Sequence, residues 1–121
     1  MSENGAKVEL IKFMLMVQDM DRAVTFYQDV FGLEVKTQSS HWAELTFGET
    51  IIALHGGGSQ ERRQTGLSFQ VQDIDAACRI VRSAGGTILR EPEARPGEPI
   101  KLADVLDPEG NQIDLTEFVG E

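Results

Sequence analysis

A seven-residue segment occurs twice in this chain. It reads VQDMDRA at residues 17–23 and VQDIDAA at residues 71–77, so five of the seven positions are identical. Each copy follows an alternating apolar run and begins a helical pattern. Asp19 and Asp73 stand where a helix N-cap belongs, because a carboxylate there accepts the free amide hydrogens of the first turn. The repeat, with its offset of 71 − 17 = 54 residues, predicts two similar halves.

The apolar pattern predicts the same order of elements in each half, strand–helix–strand–strand–strand. Predicted helices span 21–31, closed by Gly32, and 75–84. Predicted strands are residues 8–17, 33–38, 42–47 and 50–55, then 67–71, 87–91, 100–106 and 112–118. The sequence therefore predicts one α+β domain of two βαβββ modules, about 8–56 and 65–119. A flexible glycine-rich linker at 56–60 is expected to join them.

Period-two alternation assigns faces to these strands. The rows Phe13/Leu15/Val17 and Leu67/Phe69/Val71 are expected beneath the helices, and Ala43, Leu45 and Phe47 are expected in the core. The opposite rows would then line a concave surface of two curved mixed sheets. Concave surfaces with convergent polar groups are the usual ligand sites.

Composition limits the classes of partner that this protein is expected to bind. A net charge of −9 argues against nucleic acid and is compatible with cationic ligands. No apolar run is long enough to span a membrane, and the N-terminus lacks the regions of a signal peptide. The single cysteine, Cys78, permits no internal disulfide and is expected to be a small buried apolar residue. These features favour a cytoplasmic protein without nucleic-acid or membrane partners.

Three segments carry a family resemblance: VQD at 17–19, the FY and FGL groups at 26–27 and 31–33, and DPEGN at 107–111. With the duplicated module they resemble the vicinal oxygen chelate superfamily. That family includes glyoxalase I, extradiol dioxygenases, methylmalonyl-CoA epimerase, and the fosfomycin- and bleomycin-resistance proteins. The resemblance covers about residues 10–119. It implies the glyoxalase/bleomycin-resistance fold and a homodimer, either swapped or unswapped, whereas fold alone does not fix the chemistry.

The resemblance also implies where a metal would bind. Metal-dependent members take His or Glu ligands from the first and last strand of each module, and these four positions fall here on Lys12, Ala53, Gly66 and Asp114. Among them, Asp114 alone is an ordinary metal ligand. We therefore expect no metal ligands of the usual set and no cofactor. The alternative is a divalent metal (Ni, Zn, Mn or Fe) held by a non-standard site that uses His41 or His55.

Three residues are candidates for catalysis. His55 lies two residues beyond Ala53 and so on the same face, where it could act as a displaced ligand or a general base. Lys12 and Asp114 could neutralise one another or orient a polar ligand, or both could simply reach solvent.

The predicted ligand-binding surface combines an adaptable apolar floor, an aromatic wall and hydrogen-bonding groups. It consists of Lys12, Met14, Met16, Trp42, Glu44, His55, Ser68, Gln70, Asp104, Gln112 and Asp114. A planar or cationic small molecule would suit it. Alternatively, the Met and Trp side chains pack against a dimer partner.

Two functions remain open at this point. One is a small-molecule-binding protein that lacks the usual metal site, similar to the bleomycin-resistance type that protects by sequestration. The other is a metal-dependent enzyme of glyoxalase or dioxygenase type with relocated ligands, drawn from His55, Asp114, Glu44 and His41. Whether the protein is an enzyme stays open.

Overall fold

The computed structural model describes residues 5–120, which form two helices and eight strands. The first half contains β1 (Lys12–Met16), α1 (Met20–Phe31), β2 (Glu34–Gln38), β3 (Trp42–Phe47) and β4 (Thr50–His55). The second half contains β5 (Arg63–Gln70), α2 (Ile74–Ser83), β6 (Thr87–Ala94), β7 (Ile100–Leu106) and β8 (Asn111–Phe118). The predicted order of elements is confirmed in both halves.

The strands form two four-stranded mixed sheets with the same topology. Their orders are β1-β4-β3-β2 and β5-β8-β7-β6, and in each sheet the first strand pairs in parallel with the last strand of its half. The other neighbours pair antiparallel. This is the predicted duplicated βαβββ fold, and the two sheets are not closed into a barrel.

Both repeated aspartates cap their helices, as predicted. The Asp19 side chain accepts a hydrogen bond from the Arg22 amide at 3.1 Å, and the Asp73 side chain accepts one from the Ala76 amide at 3.0 Å. Gly32 ends α1 in a left-handed conformation. The repeat thus marks the start of each helix, where the orphan amides need an acceptor.

One hydrophobic core joins the two halves. Leu15 and Val17 of the first half and Ile113 and Leu115 of the second half are all buried in it. Phe31 of α1 stacks on Phe69 of β5, with ring centroids 3.9 Å apart. Cys78 is buried, as predicted. No helix within residues 5–120 is long and apolar enough to cross a membrane.

A turn between β7 and β8 also connects the second half to the first through hydrogen bonds. Glu109 is completely buried, and its carboxylate accepts hydrogen bonds from the amides of Gln18 and Asp19 at 2.8 and 2.9 Å. Arg22 donates to the same carboxylate at 2.6 Å. The turn therefore contacts the first residues of α1 through charge-assisted hydrogen bonds.

Arg63 makes a second connection between the halves. Its guanidinium donates to the carbonyls of Met16 and Glu109, both at 3.2 Å, and to the Asn111 side chain at 2.8 Å. Five N–H groups in a fixed fork suit several acceptors at once. These contacts hold the end of β1 beside the beginnings of β5 and β8.

The structure corrects four details of the sequence-based prediction, the first being that β5 begins at Arg63 rather than at residue 67. β1 begins at Lys12 rather than at residue 8, because its pairing with β4 starts at the Lys12–Ile51 pair. β6 continues to Ala94, through part of the connection expected at 92–99. Phe47, expected in the core, is 69% exposed, since it ends β3 at the turn into β4.

The glycine-rich segment after β4 is packed rather than loose. The Gly56 amide donates to the His41 carbonyl at 2.8 Å, and the Gly58 amide donates to the Val17 carbonyl at 2.9 Å. A Cβ at Gly58 would lie 3.1 Å from the Val17 nitrogen. Any other residue at position 58 would require the Val17 backbone to move by a few tenths of an ångström, so glycine allows this close approach.

Candidate functional site

Strand register places six of the predicted site residues on one face of the first sheet. Met14 pairs with Ala53, which pairs with Glu44, and Met16 pairs with His55, which pairs with Trp42. Lys12 is two residues before Met14 and therefore shares its face. The predicted grouping is Lys12, Met14, Met16, Trp42, Glu44 and His55, and the structure brings these residues together.

A charged cluster occupies the middle of this face. The Lys12 ammonium lies 3.3 Å from a Glu44 carboxylate oxygen, and the Lys36 ammonium lies 4.0 Å from the other oxygen. The Trp42 indole N–H donates to Glu44 at 2.9 Å. This indole hydrogen bond, together with Lys12 and the charge of Lys36, lowers the pKa of Glu44 against the opposing effect of burial. The carboxylate is thus held in its ionised form.

His55 lies at the edge of the same face. Its Nδ1 donates to the Gly56 carbonyl at 2.6 Å, and its ring meets the Trp42 ring edge-on at 6.0 Å. A carbonyl can only accept, so neutral His55 carries its proton on Nδ1. Its Nε2 then holds a lone pair that can accept a proton or a metal.

A pair of carboxyl groups stands on the second sheet. Asp104 and Asp114 are directly opposite each other on β7 and β8. Burial, followed by the neighbouring Asp104 carboxyl, raises the pKa of Asp114. The Arg90 guanidinium lies 3.6 Å from Asp104. Two adjacent carboxyls in this arrangement can share a proton.

Two neighbouring cavities bring parts of the two faces together. One, of about 410 Å³, includes Lys12, Met14 and Met16 in its lining, and the other, of about 270 Å³, includes Asp104, Gln112 and Asp114. Gln64 and Thr65 at the start of β5 line both. A volume of 410 Å³ lies within the range of small-molecule sites. We take these two cavities as the candidate site.

Other predicted residues lie elsewhere. Ser68 and Gln70 line a separate apolar cavity of about 530 Å³ that also includes Phe31, Phe47 and Phe69. Gln112 does reach the candidate site, where its side-chain oxygen accepts hydrogen bonds from Arg62 at 3.1 and 3.2 Å. β5 is an edge strand, and side chains from both of its faces line this cavity, which alternation alone does not reveal.

A larger open depression of about 850 Å³ lies away from these residues. It is bordered by the start of α1 and by the turn between β2 and β3. Its charged side chains are already engaged, since Asp19 caps α1, Arg22 pairs with Glu109 and Asp21 accepts a hydrogen bond from Gln38 at 2.9 Å. We therefore place the candidate site on the sheets rather than here.

The residues at the four expected metal positions do not fit a divalent ion. Lys12 is paired with Glu44, and Ala53 offers no donor atom. Gly66 also lacks one, and its φ of +80° favours glycine, so a ligand side chain there would strain the backbone. Asp114 alone is an ordinary ligand, beside Asp104. Within residues 5–120 no three His, Cys, Asp or Glu side chains are grouped to hold a metal.

The structure changes two interpretations that were made from the sequence, those of Lys12 and His41. Lys12 has Glu44 as its partner rather than Asp114, because both lie on the first sheet while Asp114 faces Asp104 on the second. His41 is exposed at the start of β3, with no side-chain hydrogen bond to any described residue. It takes no part in either cavity.

Three site residues were not predicted. Lys36 reaches Glu44 from β2, where the pairing register shifts between Val35 and Thr37. Gln64 and Thr65 precede a register shift in β5. Strict alternation does not assign faces across such irregularities, although the charge of Lys36 within a strand was a usable signal.

Comparison with known proteins matches this chain to one family and to relatives that carry related names. The profile described as Glyoxalase/Bleomycin resistance protein/Dioxygenase superfamily matches residues 9–115. Lactoylglutathione lyase of Haemophilus influenzae is 29% identical over 91% of this chain and 93% of its own length. A probable lactoylglutathione lyase of Vibrio parahaemolyticus is also 29% identical, over 88% of each chain.

Solved structures show the same fold. A glyoxalase/bleomycin resistance protein/dioxygenase family enzyme from Burkholderia phytofirmans has a TM-score of 0.77 at 21% identity, covering 92% of this chain and 99% of its own. A fosfomycin resistance protein from Listeria monocytogenes has a TM-score of 0.76 at 19% identity, covering 93% and 94%. At these identities the likeness establishes the fold alone.

Proposed function

Because this chain belongs to the Glyoxalase/Bleomycin resistance protein/Dioxygenase superfamily, we propose that it binds a small organic molecule without the four-ligand metal centre expected for that family. The ligand occupies the cavity beside β1 and β5. Lys12, Met14 and Met16 contact it from the first sheet, with Asp104, Gln112 and Asp114 nearby on the second. A sequestering or resistance role is one form that this function would take.

The Lys12–Glu44 ion pair carries the proposal. It occupies one of the four expected metal positions with an ammonium group, which is a donor of hydrogen bonds and not a metal ligand. The same side chain lines a cavity of suitable size. Trp42 and His55 complete the face as an aromatic wall, with the indole ring 5.5 Å from the Lys12 ammonium.

The proposal is tested by metal titration of the chelator-treated, untagged protein. Calorimetry with Ni²⁺, Zn²⁺, Mn²⁺ and Fe²⁺ is expected to show no tight binding near one equivalent per chain. His55→Ala and Asp114→Asn serve as matched variants, since each removes one of the remaining donors. Tight binding in the parent that both variants lose would refute the proposal.

A second candidate is a metal-dependent lyase with relocated ligands. The sequence relatives named lactoylglutathione lyase favour it, at 29% identity over most of the chain. His55 offers a free Nε2, and Glu44 and Asp114 offer carboxylates, although Glu44 and Asp114 lie on different sheets. Lyase activity that depends on added metal and disappears in His55→Ala would establish this alternative. Lys12, His55 and Asp114 stay the candidates for any catalytic role.

We further propose that the protein is a cytoplasmic homodimer of single-domain chains, with modules at about 8–56 and 65–119. Exposed apolar side chains outside the ligand cavity support the dimer, because Phe47 is 69% exposed and Phe118 is 50% exposed. Light scattering on the purified protein measures the mass directly. A monomer at micromolar concentration would contradict the dimer without affecting the ligand proposal.

A further inference from the structure

Accessible charge around Glu44 is positive, whereas the exposed Glu34 lies on the same face beside Thr46, one step further along β3. The side chains of Lys12 and Lys36 are 40% and 57% exposed, whereas the side chain of Glu44 between them is 13% exposed. Two ammonium groups surround one carboxylate, so the cluster carries a net charge of about +1. A ligand that reaches this cluster therefore meets the cations, while the carboxylate of Glu44 lies beneath them.

The Trp42 ring already makes a cation–π contact with a lysine of the same face. The Lys12 ammonium lies over the Trp42 ring, 5.5 Å from its centroid. That position is where a cationic ligand would gain most from the indole ring. A second cation would have to displace Lys12 or accept its repulsion, so the arrangement disfavours cationic ligands.

The carboxyls of the second sheet do not reverse this preference. Asp104 and Asp114 face each other, and Arg90 lies 3.6 Å from Asp104. The Arg90 guanidinium pairs with one of the two carboxyls, and the cavity that Lys12 lines includes Arg63 but neither Asp104 nor Asp114. The charged side chains that line the cavity beside β1 are therefore both cationic, Lys12 and Arg63.

The local charge, and not the net charge of −9 of the whole chain, determines which ligand charge this face favours. Exposed charges more than about 8 Å away are largely screened at physiological ionic strength. The distant acidic residues therefore have little effect at Lys12. The ammonium groups within contact distance dominate the potential that a bound molecule experiences.

We propose that the ligand of this site is a planar organic anion, a conjugated or aromatic carboxylate, whose negative group pairs with Lys12 and Lys36. Its flat apolar part lies against Met14 and Met16 in the cavity beside β1 and extends across His55 toward Trp42 on the adjoining face. This inference rests on the proposed small-molecule binding and narrows its ligand class. It also reverses the preference for cationic ligands that the acidic composition suggested.

Three probes of similar size and different charge test the inference: benzoate, benzamide and benzylammonium. Trp42 is the single tryptophan of the chain, so its fluorescence reports on this face. Amide chemical shifts of residues 12–16 and 42–44 confirm the location. Benzoate is expected to bind about thirtyfold more tightly than benzylammonium, because the two probes differ by two unit charges and each unit charge changes the interaction with an ammonium about 4 Å away by about 1 kcal/mol in water.

Charge variants make the test specific. Lys12→Met, which keeps the length of the side chain, is expected to abolish the preference for benzoate, and Lys12→Arg is expected to retain it. Lys7→Met is the matched control, because Lys7 is exposed outside the strands. All three changes affect exposed side chains, so the fold is expected to be preserved.

The outcomes separate this inference from the broader proposal. Equal affinity for benzoate and benzamide, tighter binding of benzylammonium, or a benzoate preference that survives Lys12→Met would each overturn the anion assignment while leaving small-molecule binding intact. Failure of every probe to perturb Trp42 or the neighbouring amides would count against both.

Discussion

Replacing Glu109 by Gln tests how the β7–β8 turn stabilises the fold. The carboxylate is completely buried and accepts hydrogen bonds from two backbone amides and from Arg22. Glutamine has one acceptor oxygen instead of two, and its NH₂ group would face a donor. Charged hydrogen bonds are worth about 1.5–3 kcal/mol each, and breaking a buried ion pair costs about 3–5 kcal/mol.

The expected loss in the free energy of unfolding lies toward the lower end of the range for breaking a buried ion pair. The Arg22 side chain is 40% exposed, so water can solvate its guanidinium once the carboxylate is gone. We expect the free energy of unfolding to fall by about 3 kcal/mol. At an unfolding entropy of about 2.1 cal/mol/K per residue, this corresponds to a decrease in Tm of about 12 °C.

Urea denaturation of Glu109→Gln and of the parent measures this difference at neutral pH, with an unchanged m value as the check on two-state behaviour. Glu49→Gln is the control, since Glu49 is exposed in the β3–β4 turn. A change at Glu109 no larger than the roughly 0.5 kcal/mol expected of a surface substitution would refute the reasoning.

The same pair of proteins has a predictable pH dependence. Burial alone would raise the pKa of Glu109, but the hydrogen bonds from Arg22, Asp19 and Gln18 outweigh it, so the pKa in the folded state lies below its ordinary value of 4.5. The stabilisation is therefore fully present above that value and is lost as the pH falls through the lowered pKa. The stability difference between parent and variant is expected to shrink in acid.

Two other buried groups give direct tests. Tyr27→Phe removes a buried hydrogen bond of 2.6 Å to Asp107. We expect the free energy of unfolding, measured by urea denaturation, to fall by about 1–2 kcal/mol. The pKa of Asp107, which burial already raises, is expected to rise further because the Tyr27 hydrogen bond lowers it. An unchanged stability would mean that Asp107 is satisfied by Asn111 and its neighbouring amides alone. Burial raises the pKa of Cys78, so native protein is expected to react with iodoacetamide far more slowly than urea-unfolded protein; similar rates would show that the α2 region opens readily.

The fold was predictable because its signals are local and repeated. The VQD segments cap both helices, and β3, β4 and β7 have the bounds that alternation predicts. Strand ends were less predictable, since the start of β1 depends on where β4 begins to pair. Phe47 shows that an apolar residue in the right phase can still lie beyond the core.

The site was predictable only in part, because side-chain partners depend on which sheet each residue joins. Lys12 was expected opposite Asp114, yet each found its partner within its own sheet, Glu44 and Asp104. Lys36 enters through an irregular strand, which periodicity cannot assign. The contacts of Glu109 with the start of α1 span about 90 residues of sequence and leave no local pattern.

Gly66 limits the order in which this protein could acquire a metal centre during evolution. Its φ of +80° lies within the register shift of β5, between Gln64 and Ser68. A mutation to histidine at residue 66 would bring the cost of backbone strain before any benefit of coordination. Changes that straighten this part of β5 would therefore have to come first, with no function of their own to favour them. A chain that keeps this register shift is expected to change its ligand through the residues around Lys12, not through coordination at residue 66.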